Sequence, residues 1–458
     1  MLKAYLISLL IFSCSGSGGS MAAEGDSRRG YSMEELGINL REHPDSPTFD
    51  FSAPSSQGDG EPLVLQGKVA THIESVDMAG HGPYVVEVAS GLNLVDRKRK
   101  KLIKLEICYP KEAGSYPVLI YSHAPIASAR DYRPLSAFYA SHGFISIMPT
   151  HDDALVLHMK PGNQGDEKVS VFKLLKLAKT SKKELSGRQE DIVKVLDSIS
   201  QLPSKIDGLN GKIETTKIAL VGHHAGAYSC ELLTGVEIDG HHKSKVADPR
   251  ISAQLLFTGL NKALPPIGKQ DWSQVKIPTM VVSFFDGIRA VDKQRKETLS
   301  VLNQAKDASS YLLTIDSATR KKPSRKRIRK IIRDSNVELI SFRPLAFLRS
   351  KKSGSSQAQK TDSESINLNT PDYDEMPGSQ LMNILGVSPL EKHSDERERF
   401  EFAMGATLPF LNAYLKGSKD DLETIRKPSE KTYDSKIHVK LNPVHFFSEE
   451  NEQNLQDQ

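Results

Sequence analysis

At 458 residues the chain has room for one large domain with additions, or for two domains. Its 61 Lys and Arg against 57 Asp and Glu leave a formal charge of +4, too balanced to mark the whole molecule as a nucleic-acid binder. A hydrophobic content of 38% and a mean hydropathy of −0.39 are low for a chain packed throughout, so part of it is expected outside a core.

Residues 1–22 read as an export signal. Lys3 gives the positive start, Ala4–Phe12 an apolar run too short to span a bilayer, and Ser20-Met21-Ala22 the small residues of a cleavage site. Ile11-Phe12-Ser13-Cys14 is an alternative, a lipobox-like sequence in which Cys14 would carry lipid, although Phe12 fits that pattern poorly. A buried N-terminal strand would also fit the apolar run, and so would a chain that starts at Met21. The expectation is an exported protein, periplasmic or extracellular, membrane-anchored if Cys14 is the modified residue. Loss of the leader leaves Cys108 and Cys230 on separate expected core elements, so no disulfide framework is implied.

Residues 23–62 are rich in Gly, Ser, Pro, Asp and Arg and read as a flexible lead-in. Strands are expected at Tyr84–Val88 and Ile103–Tyr109, separated by the charged stretch Asp96–Lys101, which reads as a solvated hairpin. Pro117–His123 has the apolar content of a central strand that runs into a loop. Leu135–His142 reads as a helix stopped by Gly143, Phe144–Pro149 as the next strand, and Thr150-His151-Asp152-Asp153 as its close. Ile192, Val195, Leu196 and Ile199 form a helical stripe within Gly187–Leu202. Ile218–Leu232, IALVGHHAGAYSCEL, passes from a buried-strand run through the small residues Gly222, Gly226 and Ala227 into a helix. Further strands are expected at Ile251–Thr258, Ile277–Asp286 and Tyr311–Ile315.

Alternating buried strands and amphipathic helices predict an α/β fold, a doubly wound and mainly parallel sheet with flanking helices. Its core is bounded at 63–320, and a basic, low-complexity insertion follows at 321–394. Residues 395–418 return as a helix of the same core, and 419–458 read as a charged, loosely held tail. Arg320–Arg333 holds nine Lys or Arg and no acid. It reads as a solvated face, with an anionic ligand, an anionic membrane surface or a protein partner as the alternatives; nucleic acid is not expected in an exported protein.

The stretch Gly222-His223-His224-Ala225-Gly226 has the G-x-S-x-G spacing of a nucleophile elbow, with His224 where the serine would stand. Residues from about Asn93 to Asp286, with Phe400–Gly417, resemble the dienelactone-hydrolase-like and platelet-activating-factor-acetylhydrolase-like α/β-hydrolases. The likeness rests on several motifs: Asp96–Lys101 followed by Leu105–Pro110, Tyr116–His123, Ala140–Phe144, Arg188–Leu196, Asp248-Pro249-Arg250, Trp272–Val282 and the closing FLNAYLKG at Phe410–Gly417.

The resemblance implies an α/β-hydrolase fold, a Ser–Asp–His triad and an oxyanion hole of backbone N–H groups. Carried over, the nucleophile position is His224 and the acid position Asp286. The histidine position falls on Arg320, and no histidine occurs between His242 and His393. One oxyanion donor would come from Ala225 and the other from the loop Ser122-His123-Ala124-Pro125-Ile126-Ala127, where Pro125 has no N–H to give. Loss of one such donor typically costs about 2.7–4 kcal/mol in the transition state, and loss of a triad serine or histidine on the order of 10⁶ in turnover.

The expected function is therefore that of an inactive hydrolase kept for binding an unidentified ligand or protein partner. The alternative is a weak carboxylic-ester hydrolase with a displaced nucleophile, and a covalent role for the His224 imidazole is a further one. No cofactor is implied. A metal site among His223, His224, His241 and His242 with Asp239 or His151 is not expected, because adjacent histidines point different ways and no H-E-x-x-H spacing occurs. An ion pair between Asp286 and Arg320 is expected in place of the triad's acid and base.

Overall fold

The computed structural model describes residues 64–66, 69–75, 80–158, 169–170, 177, 182–238, 247–257, 270–285, 288–317, 337–338, 395–433 and 437–445. Twelve strands among them form one sheet. In chain order they are β1 (Leu65–Gln66), β2 (Ala70–Glu74), β3 (Val86–Asp96), β4 (Lys101–Pro110), β5 (Tyr116–Ser122) and β6 (Ile145–Thr150). These are followed by β7 (Ile213–His223), β8 (Ile251–Phe257), β9 (Thr279–Phe285), β10 (Ser310–Ser317), β11 (Ser429–Tyr433) and β12 (Ile437–His445). The spatial order is β1-β3-β4-β6-β5-β7-β8-β9-β10-β12-β11, with β2 also on β3.

The six neighbours from β6 to β10 run parallel, and antiparallel strands extend the sheet at both edges. The mainly parallel expectation thus describes the centre, where every residue of β5 is buried. Alternate residues of β5 enter opposite cores: Leu119 and Tyr121 one, Val118 and Ile120 the other. Helices α1 (Arg133–Ser141) and α5 (Asp395–Lys416) cover the first face, through Leu135, Phe138, Phe410 and Leu411. The second face is covered by α2 (Lys182–Ser198), α3 (Ala225–Leu233) and α4 (Ile288–Leu302), which contribute Ile192, Cys230 and Leu302. Helices on both faces make the sheet doubly wound. Both Cys108 and Cys230 are buried free thiols.

Two expectations are corrected. The segment after Ser418 is not a loose tail as far as His445: α6 (Lys419–Arg426) is capped by Ser418, whose Oγ accepts the Asp421 N–H at 3.3 Å. Beyond it, β12 pairs antiparallel with β10 from Ser317↔Ile437 to Ser310↔His445, and β11 pairs with β12. The alternation Ile437-Val439-Leu441 pairs with a strand already buried, and Leu441 is sealed into the core. The Asp96–Lys101 hairpin is also not simply solvated. Arg99 and Lys101 both reach the buried Asp191 of α2 at 2.8 Å, so the turn is pinned to the helix beneath it. The insertion lies outside the described residues, apart from Val337–Glu338, which pair with Val169–Ser170.

Candidate functional site

The C-terminal ends of the parallel strands carry the elbow. β7 ends at His223, α3 begins at Ala225, and His224 turns the chain between them at φ 51°, ψ −116°. That is a sparsely populated conformation for a residue with a side chain, and it typically costs about 1–3 kcal/mol. Its neighbours show why the turn is tight. A Cβ on Gly222 would lie 2.5 Å from Ala227 Cα, and one on Gly226 would lie 2.0 Å from the carbonyl oxygen of Ser122. Only glycine lets helix, turn and the adjacent β5 pack this closely. The His224 N–H is held by Phe257 O at 3.2 Å, and its carbonyl starts the helix by accepting from Ala227 and Tyr228.

The His224 side chain is 9% exposed. Among the described residues its imidazole meets the His223 ring, centroids 4.7 Å apart. Burial pushes its pKa down to about 4, so the ring is neutral at pH 7. His223 is held in turn by Tyr132, whose Oη lies 2.7 Å from Nδ1.

The loop after β5 is closed against itself. Ala124 gives its N–H to Tyr132 Oη at 3.1 Å, and Pro125 has none. Ile126 gives its N–H to Asp153 O at 3.1 Å and accepts from Leu155 N–H at 2.8 Å. Ile126 sits at φ 74°, a genuine strain for a β-branched residue, and Ala124, Ile126 and Ala127 are all buried. Backbone donors at 124 and 126 thus point into the fold, not toward a substrate.

Beside the elbow lies a buried network whose members stand far apart in the sequence. Ser122 Oγ is 2.9 Å from His151 Nε2, and His151 Nδ1 is 2.9 Å from Asp191 Oδ2. Burial first, then the Arg188, Lys101 and Arg99 cations, hold the His151 pKa well below its ordinary value. The neutral ring therefore donates from Nδ1 to the carboxylate and accepts the Ser122 hydroxyl proton at Nε2. Arg188 completes the cluster with a bidentate pair to Asp153 and a bond to His123 O at 2.6 Å. His123 Nε2 receives the His151 N–H at 2.8 Å, while its Nδ1 donates to Ala124 O. Ser122, His151 and Asp191 stand in the order of a Ser–His–Asp triad, and all three are fully buried. The signals in the sequence are Ser122-His123, His151-Asp152-Asp153 and Arg188–Asp191; what joins them is the packing of α2 over β5 and β6.

The structure therefore places His224 at the turn, Ala225 as the first residue of its helix, and Ala124 and Pro125 in the closed loop across from it, since Ser122 pairs with Gly222 in register. Asp286, Arg320, Asp239, His241, His242 and the run Arg320–Arg333 lie outside the described residues. Among the described residues no group of three or more His, Cys, Asp or Glu is arranged to hold a metal ion.

Residues 74–231 match the family model for chlorophyllase, a family of the α/β-hydrolase superfamily. A curated chlorophyllase, type 0, of Chenopodium album is 49% identical over 45 residues, 10% of this chain. That stretch spans 13% of the relative's own length. The match carries the superfamily that the motifs implied; the dienelactone-hydrolase-like and acetylhydrolase-like grouping has no counterpart in it.

Proposed function

We propose that the chain is a chlorophyllase-like α/β-hydrolase-fold protein that binds a chlorophyll-type ligand without hydrolysing it. One observation carries the reading: the strained elbow is kept, and the residue it presents is a histidine. An elbow exists to expose a nucleophilic oxygen and to aim a helix N-terminus at the developing oxyanion. His224 supplies no hydroxyl, and the loop opposite has its donors committed at Ala124 and Ile126 and none at Pro125. With the nucleophile gone, turnover falls by on the order of 10⁶. What persists is a rigid, costly turn at the end of a parallel sheet, where such folds take their ligands. In this reading the leader at 1–22 makes the protein an exported binder. Turnover of short-chain p-nitrophenyl esters tests it, and the expected rate is that of buffer alone.

A second reading is favoured by the Ser122–His151–Asp191 arrangement: weak ester hydrolysis from a displaced serine. The hydroxyl is correctly hydrogen-bonded to a base that is itself oriented by a carboxylate. It requires the 123–128 loop to move off Ser122. Turnover that disappears in Ser122→Ala would establish this reading and remove the first.

A further inference from the structure

The turn that feeds the elbow strand carries the only Asn-Gly step in the chain, Asn210-Gly211. It follows a 3₁₀ turn at Asp207–Leu209 and stands just before β7. Both residues are exposed. Asn210 is extended, at φ −60° and ψ 123°, and Gly211 is at φ 70°, with open space where a Cβ would stand. The backbone is held on either side: Asn210 N–H donates to Asp207 O at 3.1 Å, and Lys212 N–H to Leu209 O at 3.1 Å. Among the described residues no hydrogen bond holds the Gly211 N–H or the Asn210 carbonyl, the two polar groups of the peptide between them. That peptide can turn about Asn210 ψ and Gly211 φ without breaking a hydrogen bond, and glycine is the residue that tolerates the range of φ such a turn sweeps.

We propose that Asn210-Gly211 is a self-modification site, at which the folded protein converts its asparagine to isoaspartate and aspartate. The chemistry needs water and no other reactant. The Gly211 amide nitrogen gives up its proton to hydroxide and attacks Asn210 Cγ. A new N–C bond forms there as the C–N bond of the side-chain amide breaks, and that nitrogen takes a proton from water and leaves as ammonia. Water then opens the resulting succinimide. Attack at Cγ yields aspartate; attack at the α-carbonyl carbon leaves the chain running through Cγ, as isoaspartate. A side chain at 211 would crowd the attacking nitrogen, and a hydrogen-bonded N–H would hold it away; neither obstacle stands here. The location gives the change a structural consequence, because an isoaspartyl link adds a carbon to the backbone just ahead of Lys212. The Lys212 Nζ donates to Pro110 O at 2.9 Å and Lys111 O at 2.7 Å, while its carbonyl accepts the Tyr116 N–H at 2.7 Å. Lys212 thus ties β4, β5 and β7 together at the end of the sheet away from the elbow.

The test is peptide mapping by mass spectrometry after the full chain has been kept, folded, in mildly alkaline water labelled with heavy oxygen. The same chain in urea is the reference, and both are digested in ordinary water. The peptide bearing Asn210 is expected to gain a heavy oxygen, divided between isoaspartate and aspartate, at a rate within about tenfold of the unfolded chain's. The rate should rise with pH, since the attacking nitrogen must first lose its proton. Asn210→Gln keeps the amide but has a larger ring to close, and its conversion should be slower by at least about tenfold. Conversion in urea with none in the folded chain would show that the turn locks this peptide, and would overturn the proposal. Aspartate without isoaspartate would overturn it as well, because direct hydrolysis of the side-chain amide, and not ring closure, gives that result.

Discussion

Ala124 gives its N–H to the Tyr132 hydroxyl, and that hydroxyl also holds His223 Nδ1, so one buried phenol ties the loop after β5 to the end of β7. Tyr132→Phe removes both bonds at once, the one to the Ala124 N–H and the one to His223 Nδ1. Each such buried group is worth about 1–3 kcal/mol. A loss of stability in that range is expected by urea unfolding, with no gain in ester hydrolysis although the Ala124 N–H is released. An unchanged midpoint would show that the hydroxyl carries no such tie.

The elbow's packing makes a sharp contrast between two glycines. Gly226→Ala drives a methyl group into the Ser122 carbonyl, and neither partner is a flexible side chain. A loss of about 1–3 kcal/mol or a failure to fold is expected. Gly187, within α2, has open space around the same position, so Gly187→Ala should stabilise by up to about 1 kcal/mol through helix propensity alone. Thermal unfolding of the two variants side by side reads the difference; equal effects would contradict the close approach at the turn.

Glu231 on α3 is fully buried, and burial holds its pKa well above the ordinary 4.5; the Gln270 amide that donates to it acts in the opposite direction. Tyr228 and Cys230, on the same helix, face it as the other titratable groups, both held protonated by burial. The unfolded carboxyl releases its proton near 4.5 while the folded one keeps it, so the contribution is whole below pH 4.5 and is lost as pH rises toward the folded value. Wild type should therefore lose stability relative to Glu231→Gln as pH climbs from about 5 to 8. Parallel stability curves for the two proteins would refute the buried acid.

What the sequence made legible was local. The apolar run of β5, the strand–turn–helix spacing around Gly222 and Gly226, and the stripe at Ile192–Ile199 each follow from periodicity within a few turns or strand residues. The strained turn at His224 was legible because its cause, a helix packed tightly on its own strand, lies within five residues. The Ser122–His151–Asp191 cluster was not, because its members come from three elements and meet only when α2 crosses the sheet. The roles of Arg99 and Lys101 were hidden for the same reason: a charge run reads as solvated until the carboxylate beneath it is placed. β12 was missed because Ile437, Val439 and Leu441 alternate with charged and polar residues, a pattern too short to stand out before β10 supplied a partner. The closing of the loop at Ala124 and Ile126 is a backbone matter, and side chains alone signalled only Pro125.

The central claim is that no oxygen nucleophile operates at this site, and peptide mapping after incubation with a fluorophosphonate probe tests it most directly. The probe reacts with a serine only when a base has activated it and solvent can reach it. Ser122 has the base and lacks the access, while the elbow has the place and lacks the oxygen. The predicted result is no adduct on any serine, in the native protein and in His224→Ala alike. A stoichiometric adduct on Ser122, absent in Ser122→Ala, would contradict the account.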